Sequence, residues 1–187
     1  MAGMTTFVAL LRGVNVGRAK RVPMATLRDL LAGLGYADVR TLLNSGNAVF
    51  RAAGASTTAH ADAIRAAIEQ ALSLTVPVIV KSASELAAIV DGNPFADEVT
   101  DPSRLLVVFT PDERALAGLR PLASQVTAPE AFHIGRHAAY LHCPNGILQS
   151  RAGEAALGRS VASATTRNWA TTLKLDALAR GGDPRAR

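Results

Sequence analysis

The stretch Val39–Ala52, VRTLLNSGNAVFRA, reads as two short strands, Val39–Leu43 and Ala48–Ala52, joined by Asn44-Ser45-Gly46-Asn47. Asn, Ser and Gly tolerate the tight, left-handed backbone that a hairpin requires. The hairpin lies between two amphipathic helices, and that placement decides the fold. Upstream, Leu27, Leu30, Leu31 and Leu34 recur at i, i+3, i+4 and i+7, with Pro23 suited to the first turn and Gly33 and Gly35 at the end. Downstream, a helix from about Thr58 sets Ile64, Ala67, Ile68, Ala71 and Leu72 on one stripe. Phe7–Leu11 is apolar at every position, as a central strand covered on both faces is, and Val76–Val80 is a short β-branched strand. The order β-α-β-β-α-β is the ferredoxin-like split unit. Ser82 with Glu85 three residues on forms a capping box for a further short helix through Val90.

Gly92-Asn93-Pro94 closes this half, and a second half opens with the apolar strand Leu105–Phe109. Thr110-Pro111-Asp112-Glu113 reads as a capping box with Pro111 at the first helical position, starting a helix to about Leu119. Strands are expected at Ala131–Ile134 and Ala138–His142, turning at Gly135-Arg136, and helix from beyond Pro144-Asn145-Gly146 to about Ala179. The sequence thus predicts an α+β protein. A ferredoxin-like half, residues 1–94, packs on a second α+β half, residues 95–180, of β-α-β-β plus C-terminal helices. Residues 181–187, within an Arg-, Gly- and Pro-containing end, are expected to be a disordered tail.

With 187 residues and 49% hydrophobic content, the chain can bury a core without disulfide or metal. Its one cysteine, Cys143, makes no internal bridge and reads as a buried strand residue in a reducing cytoplasm. The apolar run Phe7–Leu11 ends at Arg12, too soon for a signal sequence or a membrane span, so no membrane partner is expected. The net charge of +5 raises nucleic acid as a partner, although only Lys20, Lys81 and Lys174 are lysines and the Arg excess also fits a compositional bias. A stacking platform for RNA bases is disfavoured, because only 4% of the chain is aromatic.

Chemistry is concentrated where Leu10–Pro23, LLRGVNVGRAKRVP, carries an apolar strand into a Gly-rich basic loop ahead of a helix. In a β-α-β-β-α-β unit the first and second strands run toward the same end of the sheet. The loop after the first and the turn after the second therefore meet at one rim. That rim gathers Arg12, Asn15, Gly17, Arg18, Lys20, Asn44, Ser45 and Asn47 as candidate ligand-binding residues for an anionic small molecule, phosphorylated or nucleotide-like. The competing reading is that the glycines and asparagines only make turns and the cations are solvated. Gly13 and Gly17 match neither the P-loop nor the dinucleotide fingerprint.

Thr165-Thr166-Arg167-Asn168-Trp169 is a third candidate. If Thr166 caps the last helix, Arg167, Thr171 and Lys174 share one face, and Arg167, Asn168, Thr171 and Lys174 are expected to close the same site. Alternatively the segment ties the two halves, with Trp169 as packing. His133, His137, His142 and Cys143 have no metal-ligand spacing, and His60 reads as an exposed helix-start residue, so neither a metal, a cofactor nor a catalytic set is assigned. Nucleic-acid binding and a structural or partner-binding role stay open beside the small-molecule reading.

On Leu10-Leu11-Arg12-Gly13-Val14-Asn15-Val16-Gly17, Val22-Pro23-Met24, Asn44-Ser45-Gly46-Asn47 and Thr166-Arg167-Asn168-Trp169, the chain resembles the bacterial family known as domain of unknown function 1697. The motifs run in order from Phe7 to about Leu178. The resemblance implies an α+β fold with a ferredoxin-like N-terminal part and no established activity. Ser150-Arg151-Ala152 departs from the Ser-Lys-Leu run expected there, keeping the charge but not the lysine.

Overall fold

Each half of the chain builds a four-stranded antiparallel sheet with the same strand order. The computed structural model describes residues 3–17, 20–158, 161 and 163–182. Two compact units result, one of Met1–Leu86 with Leu175–Arg187 and one of Ala87–Lys174. The divisions fall inside helices, where no linker composition marks them.

In the first unit β1 (Thr5–Leu11), α1 (Met24–Gly33), β2 (Ala37–Thr41), β3 (Asn47–Ala52), α2 (Thr57–Leu72) and β4 (Val78–Ser82) follow in order, and the sheet runs β2-β3-β1-β4. This is the ferredoxin-like arrangement. Phe7, Ala9 and Leu11 of β1 turn to one face, where they meet Leu27 and Leu31 of α1 and Ile64 and Ile68 of α2 in one buried cluster. Period 2 on the strand and period 3.6 on the helices thus converge on a single core. Ser56 caps α2, its hydroxyl accepting from the Ala59 N–H at 3.1 Å. The Ser82–Glu85 box is formed reciprocally, at 2.9 and 3.2 Å, and starts α3 (Ala83–Asp91).

Two strands sit two residues from their expected positions, for local reasons. β2 stops at Thr41 because Leu43 turns to φ 58°. β4 starts at Val78 because Pro77 has no N–H for the ladder.

The second unit contains β5 (Leu105–Phe109), α4 (Glu113–Ala117), β6 (Ala131–Ile134), β7 (Ala138–His142), α5 (Arg151–Leu157), β8 (Thr165–Asn168) and the start of α6 (Trp169–Ala179), with sheet order β6-β7-β5-β8. Asp112 is the N-cap of α4, its carboxylate accepting from Ala115 N–H at 2.7 Å, so Pro111 precedes the helix instead of opening it.

The larger correction is β8. Thr165–Asn168 is not the beginning of the last helix but an edge strand on β5, with Arg167 opposite Val107. A second full β-α-β-β-α-β circuit is thereby completed. The two sheets also share a register. Val8 of β1 stands opposite Lys81 of β4, one residue before Ser82, which caps α3. Val107 of β5 stands opposite Arg167 of β8, one residue before Asn168, which caps α6. Lys81 and Arg167 are 4% and 8% exposed, so each unit buries a cation at the matching place.

Candidate functional site

The rim of the first unit is assembled by backbone and side-chain bonds from two loops. Leu11 N–H donates to the Gly46 carbonyl at 2.8 Å, and Arg12 N–H to the Pro77 carbonyl at 3.0 Å, so the loop leaves β1 already tied on both sides. Val14 and Val22 are buried in the core of this unit and peg the loop down. Along the loop the backbone is left-handed at Gly13, Asn15, Gly17 and Lys20, with φ of 65°, 58°, 62° and 49°. This places polar groups outward on a chain anchored inward.

Asn15 holds the arrangement. Its amide Nδ2 donates to the Val22 carbonyl at 2.8 Å and to the Asn44 carbonyl at 2.6 Å, while Oδ1 accepts from Val22 N–H at 2.9 Å. Its own N–H donates to the Lys20 carbonyl at 3.1 Å. Asn47 has the parallel task in the turn. It is fully buried, and its Nδ2 donates to the Leu42 carbonyl and the Ser45 hydroxyl, both at 2.9 Å. The two asparagines are thus struts, and the groups they leave facing outward are different ones.

Those groups are Arg12, half-buried, and Lys20, Asn44 and Ser45, all exposed, with exposed Gly17 allowing close backbone approach. Arg18 lies outside the described residues. Arg21, also exposed, is a further cation of this loop, signalled in the sequence by its position beside Lys20. Burial pulls the Arg12 guanidinium below its ordinary value; it remains a cation at neutral pH, and its partial desolvation strengthens its pull on an anion. Two apolar side chains interrupt this polar rim: Val16, 72% exposed, and Leu43, 52% exposed.

Arg167, Asn168, Thr171 and Lys174 belong to the β8–α6 junction. Because Arg167 lies in a strand, the helical stripe it was to share with Thr171 and Lys174 does not form. Its Nη1 donates to Thr165 Oγ1 at 2.9 Å and to the Thr166 carbonyl at 2.7 Å. Burial pulls its guanidinium down to about 10. Asn168, not Thr166, caps the helix, its Oδ1 accepting from Thr171 N–H at 2.9 Å. Trp169 is buried, as a packing residue should be.

His60 stands in the first turn of α2, as expected, but it is half-buried and not exposed. Its ring lies 4.5 Å from Phe7 and 5.2 Å from Tyr36 between centroids, and Tyr36 Oη is 2.8 Å from Nδ1. Burial lowers its pKa, while a hydrogen bond with the Ala53 backbone acts in the opposite sense. Cys143 is fully buried, and burial raises its thiol pKa, so it is not primed as a thiolate. Among the described residues no three His, Cys, Asp or Glu side chains are grouped to hold a metal ion, and no helix is long and apolar enough to cross a membrane.

Two ferredoxin-type circuits, one of them carrying an elaborated basic rim, define the architectural class. The chain belongs to the family described as protein of unknown function DUF1697, which matches residues 4–140. Its fold is similar to that of the conserved bacterial protein SP0830 from Streptococcus pneumoniae, with a TM-score of 0.79 and 21% identity over 95% of this chain and 99% of that one. At that identity the likeness is one of fold. Among curated proteins none matches the chain.

Proposed function

We propose that the rim of the first unit binds an anionic small molecule, phosphorylated or nucleotide-like, through Arg12, Lys20 and Ser45, with Gly17 allowing close backbone approach. The carrying observation is an internal comparison. The same strand-to-helix connection spans residues 12–23 in the first unit and only 110–112 in the second. The circuit therefore closes without a long loop, and a long loop built from Gly and cations is more than the fold asks for. Its left-handed residues and the Asn15 clamp hold the described part of the loop in one shape, which lowers the entropic cost of gathering several donors around one anion. The single buried thiol is consistent with a cytoplasmic setting.

Thermal unfolding against a panel of nucleotides and phosphorylated metabolites tests the reading. A specific ligand at 100 times its Kd raises the unfolding free energy by about 2.7 kcal/mol. Salt separates it from nucleic-acid binding, whose affinity falls log-linearly with a slope of roughly 0.9 per duplex phosphate neutralised. Steep salt dependence with DNA or RNA, and no response to any small anion, would refute the small-molecule reading.

A further inference from the structure

Resting on that reading, we propose that the rim's ligand is an organic phosphate with a planar or apolar body, its anionic group on the loop cations and its body on Val16 and Leu43. The hydrogen bond from Asn15 Nδ2 to the Asn44 carbonyl joins the immediate neighbours of these two residues, so both stand on the same rim. They are two of the six large hydrophobic side chains exposed among the described residues, and both interrupt an otherwise polar surface.

Leu43 carries the argument furthest. It adopts φ 58°, a left-handed conformation that strains a leucine and suits Gly or Asn. The residue is 52% exposed and belongs to no buried cluster, so core packing offsets little of the strain. A residue that breaks both the backbone preference and the surface preference at one position points to use by something that binds there. Inorganic phosphate has no need of such a surface. A molecule with an apolar face beside its charge does, and shielding these side chains adds affinity in proportion to the area covered.

The test measures binding of inorganic phosphate, ribose 5-phosphate and phenyl phosphate by calorimetry to the full chain and to Leu43→Asn and Val16→Ser variants. Phenyl phosphate is expected to bind about tenfold more tightly than the other two. Each variant should erase that preference while leaving inorganic phosphate binding unchanged. Leu43→Asn should unfold at the same or a higher temperature, because Asn accepts the left-handed backbone. Equal affinity for all three probes overturns the inference and leaves the anion reading standing, whereas failure of all three to bind removes both. Equal weakening of every probe in the variants would assign the side chains to loop shape alone, against the inference. Sedimentation with phosphatidylserine vesicles is expected to leave the chain in solution; pelleting lost in Leu43→Asn, without a phenyl phosphate preference, overturns the inference in favour of a bilayer.

Discussion

Asn15 and Asn44, distant in sequence, are joined at 2.6 Å through the side chain of one and the backbone of the other, so the loop after β1 and the turn after β2 form one piece. The same amide grips Val22 in both directions. Asn15→Gly keeps the left-handed backbone and deletes only these bonds. It should cost ~1–3 kcal/mol and abolish exchange protection of the Val22 N–H, read by amide hydrogen exchange. Persistent protection of Val22 would assign the loop's order to other contacts.

Gly46 shows how closely the two pieces meet. A Cβ there would lie 2.6 Å from Val14 Cγ2 and 2.7 Å from Leu11 Cβ, on a backbone with φ 82°. Gly46→Ala is therefore expected to destabilise by ~2–4 kcal/mol in denaturant unfolding. Gly54 is the matched control, with φ 85° and nothing within 4 Å of a built Cβ. Gly54→Ala should cost only the strain, ~1 kcal/mol. Equal losses would show that conformation alone, not approach, demands glycine at the rim.

His60 gives the first unit a pH dependence of known sign. Burial holds its folded pKa below that of the unfolded chain, so the unfolded state takes the proton first as pH falls. Stability contributed by the neutral ring is complete above the ordinary imidazole value near 6.5, declines below it, and levels off under the folded pKa. Unfolding temperature followed from pH 8 to pH 5 should fall through this window, and His60→Gln should flatten the change attributable to the ring. An unaltered profile in that variant would place the dependence elsewhere.

The β8–α6 junction is tested by two alanines. Asn168→Ala removes the cap and should cost ~1 kcal/mol, whereas Thr166→Ala should stay within about 0.5 kcal/mol. The opposite ranking would put the helix start back at Thr166.

Arg167→Ala should lower unfolding stability by ~2–3 kcal/mol, because it strips donors from Thr165 Oγ1 and the Thr166 carbonyl in a buried strand. An unchanged denaturation midpoint would show that the guanidinium is not structural.

The first unit was legible because its apolar residues fall at clean periods: Leu27 and Leu31 on α1, Ile64 and Ile68 on α2, and the unbroken run in β1. β8 was hidden because the residues it buries are Thr165 and Arg167, so burial alternates along the strand without hydrophobicity alternating. At the rim, chain direction alone brings the two loops together, as the Asn15–Asn44 bond does in the structure. What spacing does not reveal is where an amide points. Asn15 and Asn47 looked like ligand groups and turn inward as struts, while Leu43 looked like the end of a strand. The burial of His60 is hidden for a related reason, since its partners Phe7 and Tyr36 come from other elements and leave no local trace.

The shared register of the two sheets makes the rim a transplantable part. Phe109 and Glu113 bound the strand-to-helix connection of the second unit as Leu11 and Met24 bound that of the first. A chain engineered to carry the elaborated connection in the other unit, or the short one in both, separates what the frame needs from what its passenger adds, with each half of the molecule serving as scaffold and standard for the other.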